Sequence, residues 1–292
     1  MTARPWPAPA KINLFLHITG RRPDGYHLLQ TLFQFVDHGD SLSFEVRDDG
    51  QIHRVSELVG VPAAQDLVVR AALKLKDLTG TRLGANIRVD KHIPMGGGLG
   101  GGSSDAATVL VALNALWATA VPNDELARLG LSLGADVPVF VHGEAAWAEG
   151  VGEILRPCPV DEGPVLVVTP DCSVETRAVF GAAELTRDTP PITMPAFSLA
   201  RTRNDCESVT RRLYPEVGRA LDWLSGFATA RMSGTGASVY AFFETDGAAD
   251  FVARQVPPAW RHFRARCVNR SPLLDRLAAQ GSSRARVELR CR

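Results

Sequence analysis

The chain lacks a long apolar run, an excess of charge and a cysteine pattern. Its 292 residues carry 32 Lys and Arg against 32 Asp and Glu, and this balance argues against broad nucleic-acid binding. No apolar stretch approaches the ~20 residues of a membrane span, and the first residues lack the apolar core of a signal peptide. Five scattered cysteines disfavour a zinc site and a disulfide framework. We therefore expect a cytoplasmic protein with no membrane and no nucleic-acid partner.

The residues that are present have the composition of a folded globular protein, 45% hydrophobic and 22% charged. Apolar alternation and apolar blocks predict strands at 10–18, 41–47, 85–91, 139–141, 164–170, 238–243 and 263–268. Helical spacing predicts helices at 66–78, 105–117, 123–133, 205–213, 216–224 and 248–255, with Asn123 as a cap and Gly80 as a stop. Because these elements do not alternate as βαβ units, they favour an α+β fold over a doubly wound sheet.

The segment 156–163, rich in Pro, Asp, Glu and Gly, predicts a domain boundary. It divides the chain into an N-terminal domain at 1–158 and a C-terminal domain at 159–280. The remaining residues, 281–292, hold four arginines without apolar periodicity, and we expect a poorly ordered basic tail.

The most informative segment is the glycine run within residues 94–107, where six glycines fall within seven residues. Two serines and a predicted helix follow directly. Glycine allows a ligand to approach the backbone closely, and a helix N-terminus presents unpaired N–H groups. The segment therefore predicts a binding site for a polyanion, most simply the phosphates of a nucleotide.

Two known phosphate motifs fit this segment poorly. A Walker A loop requires Lys after its last glycine, and here Ser103 occupies that position. The dinucleotide fingerprint matches Gly96, Gly98 and Gly101, but residues 93–95 separate them from the preceding strand. A flexible linker is disfavoured because a regular helix follows at once.

Three motifs in order resemble those of the GHMP kinases. They are residues 7–14 with Lys11, the phosphate loop at 94–107, and a late glycine motif at 232–238. The resemblance implies a two-domain GHMP kinase fold. Its N-terminal α+β domain resembles a ribosomal-protein domain, and its C-terminal domain is a ferredoxin-like α/β sandwich.

Further segments resemble one branch of this family, which phosphorylates a small cytidine diphosphate compound. They are residues 8–16, 20–27, 96–102, 134–140, 204–207 and 234–237. The stretch Asp24-Gly-Tyr-His27 carries the most weight, because other members do not need it. The alternative is another small-molecule kinase of the family, of the homoserine or mevalonate type.

The resemblance implies a catalytic pair. Asp136 takes the proton of the acceptor hydroxyl, and Lys11 stabilises the charge of Asp136 and of the moving phosphoryl group. Without the resemblance, Asp136 reads more readily as a turn residue that caps backbone before an apolar strand, and Lys11 as a strand lysine that faces solvent.

The glycine loop is expected to hold ATP through its N–H groups and through two serine hydroxyls. The predicted ATP-binding residues are Pro94, Met95, Gly96, Gly97, Gly98, Leu99, Gly100, Gly101, Gly102, Ser103, Ser104, Asp66 and Lys91. Mg²⁺ is expected with ATP, but the sequence assigns it no protein ligand. Asp105 is explained without a metal, as an acid in the first turn of a helix.

The acceptor requires a flat surface for cytosine and directional hydrogen bonds. The resemblance implies that Tyr26 stacks on the base, that His27 hydrogen-bonds it, and that Phe180 covers its other face. The full predicted substrate set is Asn13, Tyr26, His27, Thr176, Phe180, Gly234, Thr235 and Gly236.

This chain departs from the family pattern at two positions. Asp66 replaces an Asn at the adenine pocket, and Arg177 replaces a Pro beside the cytidine pocket. These changes put the adenine contact, and locally the shape of the cytidine pocket, in doubt. For the assembly we expect a monomer or a weak homodimer.

Overall fold

The structure, a computed structural model, describes residues 4–56 and 65–280. Its strands are β1 (Trp6–Arg21), β2 (His27–Arg47), β3 (Ile52–Arg54), β4 (Gly84–Asp90), β5 (Ala146–Glu149), β6 (Ile154–Pro157), β7 (Gly163–Thr169), β8 (Arg231–Met232), β9 (Val239–Phe242) and β10 (Arg261–Val268). Its helices are α1 (Leu67–Thr79), α2 (Gly101–Leu116), α3 (Asn123–Leu131), α4 (Val137–His142), α5 (Thr176–Gly181), α6 (Glu207–Leu213), α7 (Pro215–Ser225) and α8 (Asp246–Ala253). Residues 272–280 are also helical.

A long antiparallel hairpin of β1 and β2 organises the fold. It pairs from Trp6 opposite Leu42 to Arg21 opposite His27, with irregular register on either side of Lys11 and Asn13. Strand β2 also pairs with β4, β5 and β10, so that one sheet runs in the order β3-β4-β2-β10-β7-β9-β8. Register shifts of this kind redirect side chains, and here they occur where β1 approaches the glycine loop.

Apolar side chains bury three connected regions of this sheet. One packs α1 and α2 on β2 and β4, with α2 buried over most of its length. A second packs α6, α7 and α8 on β7 and β9. The third lies between them around β1, where both faces of the strand are buried. The glycine loop contributes Leu99 to the third region.

The predicted strand at 139–141 is wrong, because these residues belong to α4. Pro138 lies in the first turn of this helix, where its fixed φ is favourable. Gly143 ends it in a left-handed conformation, with φ of 69°. A short apolar run has no distinguishing periodicity, so a buried helix and a buried strand read alike.

Two helix starts also differ from the prediction. Asn123 is the first residue of α3 and not its cap, and Pro122 precedes it. Helix α2 begins at Gly101 rather than at Asp105, so its first turn contains glycines and serines. The prediction that Asp105 is an acid of the first turn is therefore wrong, and its position needs another explanation. Gly80 does end α1 as predicted, with φ of 65°.

The predicted domain boundary falls in the connection between β6 and β7, and the division at residue 158 stays a prediction. The predicted basic tail at 281–292 lies outside the described residues. Within the described part, Cys158, Cys172, Cys206 and Cys267 are free thiols. No helix in residues 4–56 and 65–280 combines the length and apolarity that a membrane crossing needs.

Candidate active site

The glycine loop is a tight backbone structure that requires glycine. Gly96, Gly98 and Gly100 have φ of 68°, 72° and 74°, a region that side chains disfavour. A Cβ atom on Gly98 would lie 2.2 Å from the carbonyl oxygen of Ser233. The loop therefore lies directly against the late glycine motif of the C-terminal half. No residue with a side chain fits at position 98.

The carbonyl groups of the loop are turned into the protein. Gly96 and Gly97 accept from the N–H groups of Ala237 and Ser238, and Leu99 accepts from the N–H of Lys11. At the loop's end, α2 begins with N–H groups that have no partner within the helix. This arrangement suits an anion, because acceptors are withdrawn and donors are presented.

A cavity of about 410 Å³ lies beside the loop. Its lining contains nearly all the residues predicted to bind ATP: Asp66, Lys91, Pro94, Met95, Gly96, Gly97, Gly98, Leu99, Gly100, Gly101, Gly102 and Ser103. The structure does not bring Ser104 to this cavity. The hydroxyl of Ser104 donates to the carbonyl of Pro9 at 2.7 Å, and its N–H donates to the carbonyl of Gly100, the residue directly before α2. Of these two serines, Ser103 is the one that lines the cavity.

Asp66, the first departure from the family pattern, has two partners. It accepts from the N–H of Val68 at 2.9 Å and thereby caps α1. Its other oxygen lies 2.8 Å from Nη1 of Arg54, and both side chains are buried. The carboxylate is thus balanced by a guanidinium in the same cavity wall. Nη2 of Arg54 is buried without a hydrogen-bond partner among the described residues.

Lys91 lies between two buried carboxylates behind the loop. Its ammonium group contacts Asp40 and lies 2.8 Å from Asp105. Burial raises the pKa of Asp105 to about 7; Lys91 opposes this rise and Asp40 adds to it. Oδ1 of Asp105 has no partner among the described residues, and Asp105 lines the cavity. This ion pair, rather than a helix cap, explains the position of Asp105.

The predicted catalytic pair is brought together. Nζ of Lys11 lies 3.4 Å from Oδ2 of Asp136, 2.6 Å from Oδ1 of Asn13 and 3.1 Å from the carbonyl oxygen of Gly98. The Lys11 side chain is 4% exposed and that of Asp136 is 33% exposed. Asp136 makes no capping bond to α4, and Lys11 does not face solvent. Neither of the ordinary structural explanations for these residues holds.

A second cavity, of about 720 Å³, contains this pair. Its lining includes most of the predicted substrate residues: Asn13, Tyr26, His27, Thr176, Phe180, Gly234 and Thr235. Gly236 is not part of it and packs instead near Met232 and Thr210. The two cavities share Gly98, Gly100 and Ser103. The two cavities therefore adjoin at the glycine loop.

The far end of the larger cavity is aromatic. The rings of His27 and Phe180 stack with centroids 5.1 Å apart, and Tyr26 is 64% exposed beside them. Burial lowers the pKa of His27 below its usual 6.5, and the cations Arg187 and Arg21 lower it further. Arg177, the second departure, lines the same cavity.

Sequence reasoning placed Ser233 in the late glycine motif but missed its contacts, and it missed Arg54 and Arg187 altogether. The Ser233 hydroxyl lies 2.9 Å from the Gly98 carbonyl, 3.3 Å from the Asn13 N–H and 3.4 Å from Oδ1 of Asn13, and so connects β1 to the loop. Its place directly before Gly234 was the available signal. Arg54 and Arg187 carry no motif, and only folding brings them to Asp66 and His27.

The GHMP kinases N terminal domain matches residues 66–144, and the GHMP kinases C terminal domain matches residues 193–262. The chain belongs to the GHMP kinases. Mevalonate kinase, with a TM-score of 0.68 and 14% identity over 91% of this chain and 100% of that chain, shares the fold.

Within this family the chain is similar over most of its length to one kind of kinase. It is 58% identical to 4-diphosphocytidyl-2-C-methyl-D-erythritol kinase from Alkalilimnicola ehrlichii, and the match covers 96% of this chain and 97% of that protein. It is 56% identical to the same kinase from Aromatoleum aromaticum, over 91% of this chain and 94% of that protein. A crystal structure of 4-(cytidine 5'-diphospho)-2C-methyl-D-erythritol kinase has a TM-score of 0.79 at 34% identity, over 90% of this chain and 98% of that chain.

Proposed function

We propose that this chain transfers the γ-phosphoryl group of ATP to the 2-hydroxyl of 4-diphosphocytidyl-2-C-methyl-D-erythritol, giving the 2-phosphate and ADP. The contact between Lys11 and Asp136 carries the proposal, because it lies in the larger cavity beside the loop that both cavities share. The named relatives supply the substrate. The reaction belongs to the non-mevalonate route to isoprenoid precursors.

Asp136 acts as the general base in this reaction. Its carboxylate is exposed to the larger cavity, and no helix cap competes for its oxygens. It accepts the hydroxyl proton while that oxygen attacks the phosphorus. Lys11 is held by Asn13 and by the Gly98 carbonyl, so its charge is fixed beside both the base and the transferring group. A charge fixed in advance costs no reorganisation in the transition state.

The loop and the start of α2 bind the ATP phosphates in the smaller cavity. The withdrawn carbonyls leave an electropositive backbone, and Ser103 adds a hydroxyl. Lys91 also lines this cavity, one-quarter exposed, and its charge is balanced by Asp40 and Asp105. The substrate's cytosine lies between Tyr26 and Phe180, with His27 hydrogen-bonding its edge, and Thr176 and Thr235, 3.1 Å apart, lie along its path toward the loop.

The residues present fit a Mg²⁺ ion held mainly by phosphates. No cluster of three or more His, Cys, Asp or Glu suited to a metal occurs among the described residues. Mg²⁺ commonly uses one or two protein oxygens and takes the rest from phosphates and water. Asp105 and Ser103, which both line the ATP cavity, would hold it. Bound there, the ion would supply charge neutralisation on the β- and γ-phosphates.

The test is ADP release, followed in a coupled assay with purified protein, MgATP and the proposed substrate. Turnover with this substrate, and none with homoserine or mevalonate, is the expected result. Turnover of homoserine or mevalonate in its place would show that the chain is a different small-molecule kinase of the family. Tyr26→Ala separates the two: it raises KM for the cytidine substrate, whereas a substrate without a base is unaffected.

The remaining expectations belong to this proposal. As a biosynthetic enzyme of this kind, the protein acts in the cytoplasm on a small molecule. The catalytic pair and both cavities lie within one chain, so a monomer has a complete site, and a weak homodimer would add nothing to it. Sedimentation of the active enzyme, with and without MgATP, tests this expectation.

A further inference from the structure

Arg187 uses its whole guanidinium group within the described structure. Nε donates to Nε2 of His27 at 3.1 Å. Nη1 donates to the carbonyls of Ala183 and Leu185, at 3.3 and 3.0 Å. Nη2 donates to the carbonyls of Phe180 and Ala182, at 3.1 and 2.6 Å. A guanidinium has five N–H groups, and all five have an acceptor, so the side chain is fixed in one orientation.

This fixed orientation determines where His27 carries its proton. Arginine always donates and never accepts, so Nε2 of His27 must offer its lone pair to Arg187. A neutral imidazole has one proton, which then resides on Nδ1. The neutral state is favoured because burial lowers the pKa of His27, with help from Arg187 and Arg21. His27 therefore presents an N–H donor with its free nitrogen.

The same guanidinium also places the aromatic partner. Phe180, whose carbonyl accepts from Nη2, stacks on the His27 ring at 5.1 Å and 27° between planes. Arg187 is thus bonded to both members of this stack, one through a ring nitrogen and one through the backbone. Without Arg187, neither the tautomer of His27 nor the position of Phe180 would be fixed.

We propose that Arg187 is a positioning residue that makes the site select cytosine over uracil, by fixing His27 as an Nδ1–H donor. N3 of cytosine is an acceptor and pairs with this donor. N3 of uracil carries a proton, so the two donors face each other and both remain unpaired. An unpaired polar group at a binding site costs about tenfold to a hundredfold in affinity. The inference rests on the proposed function for the cytidine diphosphate substrate.

The first test uses the unaltered protein labelled with ¹⁵N. Two-bond ¹⁵N–¹H correlation spectra report which ring nitrogen of His27 carries the proton. Nδ1–H at neutral pH is expected, whereas Nε2–H would overturn the inference. If the enzyme shows Nε2–H and still turns over the cytidine substrate, the inference fails and the proposed function stands.

The second test compares CDP and UDP binding by calorimetry, in the wild type and in Arg187→Met. The wild type should prefer CDP by about tenfold or more, and the variant should reduce this preference to about threefold or less. Arg212→Met is the matched control, since Arg212 forms an exposed ion pair with Glu184 on the neighbouring surface. Equal weakening of CDP and UDP in Arg187→Met would mean that Arg187 is merely structural, and would overturn the inference.

Discussion

Nζ of Lys11 lies 3.4 Å from Oδ2 of Asp136, and the two side chains differ sharply in exposure. The lysine, on β1, is buried and also bonded to Asn13 and to the glycine loop. The aspartate, directly before α4, faces the cavity. The pair thus combines a cation that is held in place with a carboxylate that remains available to a ligand, which is the arrangement that proton transfer to a positioned base requires.

Asp136→Asn should remove the base and keep the shape of the site. We expect kcat to fall by about 10³-fold, within the range of general-base losses, while the affinities for ATP and acceptor change little. Steady-state kinetics and calorimetric binding measure the two effects. Asp77→Asn, on the exposed side of α1, is the control and should retain full activity. Retained turnover in Asp136→Asn would reduce Asp136 to a structural residue.

Ser233→Ala should disturb catalysis without removing a group that touches the reacting atoms. The Ser233 hydroxyl joins Asn13 to the Gly98 carbonyl, and both hold Lys11. We expect a loss of about 1–2 kcal/mol in the free energy of unfolding, and a fall in kcat that exceeds any rise in KM. Ser271→Ala, at another fully buried serine that bonds the N–H of Leu273, should lose similar stability with unchanged kcat. Equal kcat in both variants would contradict the role of Ser233.

Gly98→Ala and Gly80→Ala separate backbone strain from steric exclusion. Both glycines have positive φ, 72° and 65°. A Cβ atom on Gly80 meets nothing within 4 Å, whereas on Gly98 it would lie 2.2 Å from Ser233. We expect Gly80→Ala to cost about 1–2 kcal/mol with normal ATP affinity. Gly98→Ala should abolish ATP binding, measured by calorimetry. Normal ATP affinity in Gly98→Ala would mean that the two glycine motifs do not pack as described.

Arg54 and Asp66 should depend on each other. Asp66→Asn keeps the cap of α1 but leaves the buried Arg54 guanidinium unpaired, at a cost of about 3–5 kcal/mol. The double variant, Arg54→Met with Asp66→Asn, should recover most of this loss. Urea unfolding of the wild type, Asp66→Asn, Arg54→Met and the double variant measures the coupling. Arg270→Met, which breaks the exposed pair with Asp275, is the control and should change stability little. Additive losses would show that the pair is not coupled.

Binding of CDP should depend on pH through His27. Its pKa is lowered below 6.5 by burial and by Arg187 and Arg21, so the neutral form persists down to that pH. Protonation places a second N–H against Arg187, and CDP affinity should therefore be constant from about pH 8 to about 6.5 and fall below. In Arg187→Met the pKa rises, and the fall should begin at higher pH. Calorimetric titrations across this range measure both curves, and an unshifted curve in the variant would contradict the assignment.

The sequence by itself determined the parts of this protein that are local. The glycine run, the helix behind it and the helix ends at Asp66 and Gly80 follow from backbone freedom and capping. Motif order indicated the GHMP kinase family, and the predicted ATP and substrate residues fall mostly in two cavities. Two predictions from the sequence were wrong. At 139–141 the local pattern was compatible with both a strand and a helix, and at Asp105 it was compatible with both a helix cap and an ion pair.

Only the tertiary structure decided most of the contacts between distant groups. Ser233 meets Gly98, Arg54 meets Asp66 and Arg187 meets His27 only in the folded chain, and folding also brings the expected pair, Lys11 and Asp136, into contact. The physical reason is that a hydrogen bond or an ion pair depends on distance and direction in space, whereas spacing along the chain encodes only the geometry of one element at a time.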